Sequence, residues 1–164
     1  MKAFVITLKD NAYSENKAAE CIDSAAAVGT VVERFYGVDK DHAEQAMKDV
    51  GLEWKWAKNN TANDICPITG LHQFPYTSAT GSLANISSKI GCSMSHYELW
   101  KRCVDLDEPI LILEHDAVFL RPLPDIEFNG ICQINDPTGA TPRANVWRDI
   151  MVKRGGEGAF EKTW

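Results

Sequence analysis

Residues 90–120 read IGCSMSHYELWKRCVDLDEPILILEHDAVFL. This stretch decides the fold class. Its first half has helical spacing. At about 100° per residue, Cys92, His96, Leu99 and Cys103 fall together. Ile90, Met94, Tyr97, Trp100 and Val104 form an adjoining stripe, and Ser95, Glu98, Arg102 and Asp105 share the opposite side. So wide an apolar arc predicts a deeply packed helix. A short acidic turn follows, then the apolar run Ile110, Leu111, Ile112, Leu113, which reads as a buried strand. Where that strand ends stand Glu114, His115 and Asp116. In an open α/β sheet, ligands bind beyond the carboxyl ends of the strands. Acidic groups placed there do not help to build a core, so they are solvated or ligating. The ligating reading is a divalent metal that in turn holds a diphosphate.

His96 has two readings of equal weight: a satisfied core histidine, or a side chain bordering the cleft and reaching a phosphate or sugar. Cys92 and His96 have the i,i+4 spacing of metal ligands on a helix, but no further Cys or His cluster completes four ligands in the sequence.

Working outward, residues 3–8 (AFVITL) form a continuous apolar run of the kind buried on both faces of a parallel sheet. Lys9, Asp10 and Asn11 form its polar exit. Ser14 is placed to cap a helix reaching about Ala27, with Gly29 ending it. Residues 30–36 (TVVERFY) read as a second strand, with Asp39 in its exit loop. Asp41 caps a further helix that Gly51 stops. Strand, helix, strand, helix predicts a βαβ beginning and a parallel sheet. Lys9-Asp10 and Asp39 then face one crevice. Asp39 is a candidate for a ribose or base edge, and is as readily a plain loop carboxylate. No glycine-rich phosphate loop follows the first strand, which speaks against a dinucleotide fold and a nucleoside-triphosphate loop.

Residues 52–85 are long and irregular, with Trp54 and Trp56, and read as a lid or acceptor-side insertion. The two tryptophans either stack on a sugar or tie the loop down. A short strand is expected over residues 117–120 and another over 131–134, with weak helix over 145–153.

The chain has 164 residues, 24% charged and 45% hydrophobic, which suits a single domain over 1–164. A net charge of −6 argues against nucleic acid as the main partner. No run approaches the roughly 18 apolar residues of a membrane span. Five cysteines (Cys21, Cys66, Cys92, Cys103, Cys132), an odd number without CxxC, fit buried thiols in a reducing compartment, so a cytoplasmic location is expected.

Residues 90–119 resemble glycosyltransferase family 25, the lipopolysaccharide-biosynthesis and collagen-type sugar transferases. The residues that carry it are Ile90-Gly91-Cys92, Ser95-His96, Leu99-Trp100, and the run from Ile112 through Glu114-His115-Asp116 to Phe119. Weaker matches lie at Val5-Ile6-Thr7-Leu8 and Val38-Asp39, so the resemblance spans roughly residues 2–136. It implies a GT-A-like nucleotide-sugar-binding fold, with a mostly parallel central sheet flanked by helices. It also implies a UDP-sugar donor, a saccharide or lipid-linked saccharide acceptor, inversion at the anomeric carbon, and Mn²⁺ (or Mg²⁺). The metal ligands so implied are Asp116 first and Glu114 second. Leu8, Lys9, Asp39, Ser95, His96, Glu114 and His115 become candidates for the nucleotide sugar.

Three departures stand out. His115 replaces the family's middle acid. The arginine expected several residues after the first strand is missing, with Lys17 the nearest cation. The last strands and a helix of the family domain are expected to be absent after Trp164, and an exposed sheet edge would then be expected to pair with a second copy. Asp136 is the candidate general base. Two rival readings are a non-catalytic nucleotide-sugar or metal-binding module, and a structural domain whose Glu114 and Asp116 are merely solvated.

Overall fold

The computed structural model describes residues 1–54, 86–125, 127–128, 130–132 and 134. The chain divides into two compact units, Met1–Leu123 and Pro124–Trp164. Every helix and strand among the described residues lies in the first. In chain order these are β1 (Lys2–Thr7), α1 (Ala12–Ala27), β2 (Glu33–Tyr36), α2 (Ala43–Asp49), α3 (Ile86–Leu106) and β3 (Ile110–Leu113).

The three strands form one parallel sheet in the order β2-β1-β3. Phe4 pairs with Glu33 on one side of β1, and Lys2 pairs with Ile110 on the other. The expected parallel α/β arrangement is therefore present. β1 sits at the centre because Ala3 to Thr7 is apolar or β-branched throughout, and all five residues are buried. Strand alternation divides them between two faces. Phe4 and Ile6 pack with Leu99 of α3, flanked by Phe35, Ile110 and Ile112. Each of those three buried side chains contributes roughly 1.5–3 kcal/mol by leaving water. Ala3, Val5 and Thr7 turn to the other face, the one left for α1. That helix packs against β1 and buries the small residues Ser14, Ala18, Cys21 and Ala25.

Helix ends differ from expectation by a residue or two, for visible reasons. Asn11, not Ser14, caps α1: its Oδ1 accepts the N–H of Ser14 at 3.0 Å. Ser14 is buried inside the first turn, where its Oγ accepts the N–H of Leu8 at 2.8 Å. At the other end Gly29 takes φ 81°, and the N–H groups of Gly29 and Thr30 bond the carbonyls of Ala26 and Ala25. This Schellman closure uses residues 29 and 30, so β2 begins at Glu33 rather than at residue 30. Asp41 does not cap α2: His42 is its N-cap, without a side-chain cap bond, and Asp39 Oδ1 accepts the N–H groups of Asp41 and His42 just before it, at 2.8 and 3.0 Å.

α3 is less deeply packed than its apolar arc predicts. Its buried face is Ile90, Gly91, Met94, Ser95 and Leu99, whereas Trp100 is 50% and Val104 77% exposed. A three-stranded sheet covers only one narrow stripe of the helix. Ile90 and Met94 turn instead to α2, packing with Ala43.

Neither further strand is present among the described residues. The N–H of Ala117 bonds the carbonyl of Glu114 at 3.0 Å, and this turn ends the extended conformation at Leu113. Residues 117–120 therefore leave the sheet, with Leu120 90% exposed. Of residues 131–134, Ile131, Cys132 and Ile134 are described and lie outside any strand. The predicted weak helix over 145–153 and all of the lid beyond Trp54 lie outside the described residues.

Candidate functional site

After β2, the chain crosses to the far side of β1 to lay down β3. The strand order thus reverses between β1 and β3, and open α/β sheets bind ligands at the carboxyl side of such a reversal. Two polar exits meet there: Leu8-Lys9 after β1, and Glu114-His115-Asp116 after β3.

The β1 exit is held by hydrogen bonds, since Leu8 gives its N–H to Ser14. Lys9 is exposed beyond it. The β3 exit fans outward because of the turn at Glu114. Glu114 points to α3, where its Oε1 lies 2.9 Å from His96 Nε2 and 3.7 Å from Cys92 Sγ. Next, His115 meets the Tyr13 ring of α1 edge-on, at 5.7 Å between centroids. Asp116 is exposed and lies toward the same helix: burial pushes the Cys21 thiol up, and the Asp116 carboxylate adds to that push. Further on, the N–H of Phe119 reaches Ser24 Oγ at 3.0 Å.

The two candidate metal carboxylates are thus divided between neighbourhoods. Among the described residues, the one group of three or more potential metal donors is Cys92, His96 and Glu114, and Asp116 is not in it. Their electrostatics are coupled. Cys92 first, then Glu114, raise the His96 pKa to about 9. The histidine in turn holds the Glu114 carboxyl below its ordinary value, against the opposing effect of burial. At neutral pH the pair is an imidazolium facing a carboxylate. His96 is therefore not a fully enclosed core histidine. It is a half-buried ion-pair partner, 29% exposed, at the rim.

Ser95 and Asp39 carry structural duties. Ser95 is 1% exposed, and its Oγ donates to the Gly91 carbonyl at 2.8 Å while accepting the Val38 N–H at 2.9 Å. It ties α3 to the exit of β2. Gly91 makes this possible, since a Cβ there would lie 2.6 Å from the Val38 oxygen. Asp39 spends one carboxylate oxygen on the start of α2, and the His42 ring at 2.9 Å is the main cause of its lowered pKa. The ammonium of Lys17, the nearest cation after β1, is engaged by Glu20 at 2.6 Å. Asp136 lies outside the described residues.

Sequence spacing singled out Cys92 and His96 as a helical i,i+4 pair. It carried no signal for the third member, because only the packing of α3 beside β3 brings Glu114 to them. Nor did it mark Tyr13 as the neighbour of His115.

A parallel α/β sheet with acidic and basic groups at a strand-order reversal has the layout in which open α/β sheets bind ligands. The chain belongs to glycosyltransferase family 25 (LPS biosynthesis protein), whose family model matches residues 1–127. The domain is thus of the sugar-transferring class, in a family described by lipopolysaccharide biosynthesis. No curated protein and no solved structure matches the chain. Among the described residues, no helix is long and apolar enough to cross a membrane.

Proposed function

We propose that the chain transfers a hexose from a UDP-sugar to a hydroxyl of a saccharide or lipid-linked saccharide acceptor, with inversion, on a GT-A-like fold. The observation that supports this reading is the strand-order reversal between β1 and β3, with Lys9 following β1 and Glu114 and Asp116 following β3. The scissile bond joins the anomeric carbon to a diphosphate, so the barrier lies largely in charge building on the leaving group. Lys9 and the protonated His96 supply positive charge at this rim. The exposed Asp116 carboxylate and the Glu114 Oε2, which its bonds to His96 and Cys92 leave unused, supply hard oxygen donors. Such donors suit a partly hydrated Mn²⁺ or Mg²⁺ held by one or two carboxylates together with substrate phosphates. When bound, that ion neutralises the departing diphosphate, an effect of several kcal/mol. Inversion requires one base to take the acceptor proton, a role for which Asp136 is proposed.

A second reading, binding without turnover, is favoured by one observation: Glu114 is already paired with His96, and the turn at residues 114–117 carries Asp116 toward α1. Calorimetric titration of UDP with and without Mn²⁺, alongside a donor-hydrolysis assay, separates the two. Metal-dependent UDP binding and turnover, both lost in Asp116→Ala, support the transferase. Binding without hydrolysis supports the module. Unchanged UDP affinity in Asp116→Ala removes the carboxylate from either scheme.

A further inference from the structure

Cys92 and His96 stand one helical turn apart on α3, so both side chains project from one face. Glu114 comes from the end of β3 to meet them, and the three donor atoms all lie within 4.8 Å of one another. Thiolate, imidazole and carboxylate form a mixed donor set, unlike the all-oxygen set that Mn²⁺ and Mg²⁺ prefer. Softer ligands select zinc-like ions.

The spacing can be compared with a real coordination shell. With bonds of about 2.3 Å to sulfur and about 2.0–2.1 Å to nitrogen and oxygen, a tetrahedral zinc site sets its S···O edge near 3.6 Å and its N···O edge near 3.4 Å. Here Cys92 Sγ to Glu114 Oε1 is 3.7 Å, and His96 Nε2 to Glu114 Oε1 is 2.9 Å. One edge already has the required length. The second opens by about half an ångström, a small rotation of a Glu114 side chain that is 49% exposed, and the third, Cys92 to His96, lies within 4.8 Å. Cys92 is exposed as well, so an ion can reach the trio from solvent and the fourth position faces water.

We propose that Cys92, His96 and Glu114 form a three-ligand site for a thiophilic divalent cation of the zinc class, with one open coordination position, at the α3–β3 junction. This site shares Glu114, through its other carboxylate oxygen, with the donors proposed for Mn²⁺ or Mg²⁺ but does not include Asp116, and its occupancy requires neither donor nor turnover. Without an ion, Cys92 and His96 both direct a proton at Glu114 Oε1, and zinc displaces the two protons to solvent as it binds thiolate, imidazole and carboxylate. The bound ion would cross-link the helix to the strand end and fix the direction of Glu114 at the rim of the crevice.

The test uses the full chain, reduced and stripped of metal, with no nucleotide present. Co²⁺ serves as the spectroscopic probe, and Zn²⁺ affinity is read by competition with a chromophoric chelator. Wild type should give the intense visible bands of a four-coordinate ion and a thiolate-to-cobalt charge-transfer band. Cys92→Ala, at an exposed position the fold tolerates, should lose the charge-transfer band. Its Zn²⁺ affinity should fall at least about 100-fold, since even groups that only orient a ligand are worth 10–100-fold. His96→Ala should weaken Zn²⁺ comparably, while Cys103→Ala, outside the trio, should leave spectrum and affinity unchanged. A weak six-coordinate spectrum in wild type overturns the proposal, as does a Cys92→Ala affinity equal to that of wild type.

Discussion

Replacing Gly91 with alanine sets two effects of opposite sign against each other. In a helix interior the change ordinarily stabilises by up to about 1 kcal/mol. At this position the new Cβ would sit 2.6 Å from the Val38 carbonyl oxygen and 3.4 Å from the Asp39 carbonyl carbon and oxygen. Those neighbours are backbone, so they do not rotate away. Either α3 or the β2 exit must shift, and overpacking of that kind costs about 1–3 kcal/mol. The shift also strains the 2.9 Å bond from the Val38 N–H to Ser95, worth about 1 kcal/mol. The clash wins, with a net loss of about 2 kcal/mol and a fall in Tm of about 4–8 °C for a chain of this size. Thermal unfolding followed by circular dichroism measures it, with Ser93→Ala, exposed on the same helix, as the control that should stay near wild type. A Gly91→Ala chain as stable as wild type would refute the backbone-to-backbone seating of α3 on that loop.

Folding raises the His96 pKa from 6.5 to about 9, so its contribution is complete below pH 6.5 and is lost as pH climbs through 9. Folding lowers the Glu114 pKa from 4.5, so that contribution is complete above pH 4.5 and fades as pH falls through the depressed value. The histidine rise alone would correspond to roughly 3 kcal/mol; with Glu114 49% exposed, solvent screening leaves about 1 kcal/mol. Urea midpoints at pH 6 and pH 10 should therefore differ more in wild type than in Glu114→Gln, and equal pH dependence would exclude the pairing. Ser14→Ala removes the acceptor for the Leu8 N–H and should cost about 1–3 kcal/mol while loosening the β1 exit. UDP titration should show weaker binding alongside the loss of stability, and undiminished affinity would detach Leu8-Lys9 from the proposed donor site. Asn11→Ala deletes the cap of α1 and should cost about 1 kcal/mol, read by chemical denaturation.

The parts of the fold that could be read in the sequence are those whose signal is local. The apolar run of β1 is long enough to announce a central strand. Gly29 and Gly51 each end a helix, at φ 81° and 70°. Non-local features were harder to read. An apolar arc on α3 does not say how wide the sheet beneath it is, so Trp100 and Val104 looked buried and are exposed. The Glu114–Ala117 turn overrides the apolar run 117–120, which has strand composition and no strand partner among the described residues. The site followed the same division. Glu114, His115 and Asp116 were conspicuous as polar residues at a strand end. Their directions were not, because period-two alternation stops where the turn begins. Ser95 read as a polar-face residue and proves to be a buried strut, since its hydroxyl finds both partners inside the protein.

The sheet order has a kinetic consequence. β1, α1 and β2 are contiguous in sequence and can associate early. β3 reaches β1 only after the intervening chain has been laid down, bringing Ile110 opposite Lys2. Such sequence-distant pairings form late and slowly. The seam that closes last is also the one bordered by Lys9 and Glu114. A molecule gripping both exits would therefore act as a clasp, and slowed amide exchange across Ile110–Leu113 would be its earliest signature.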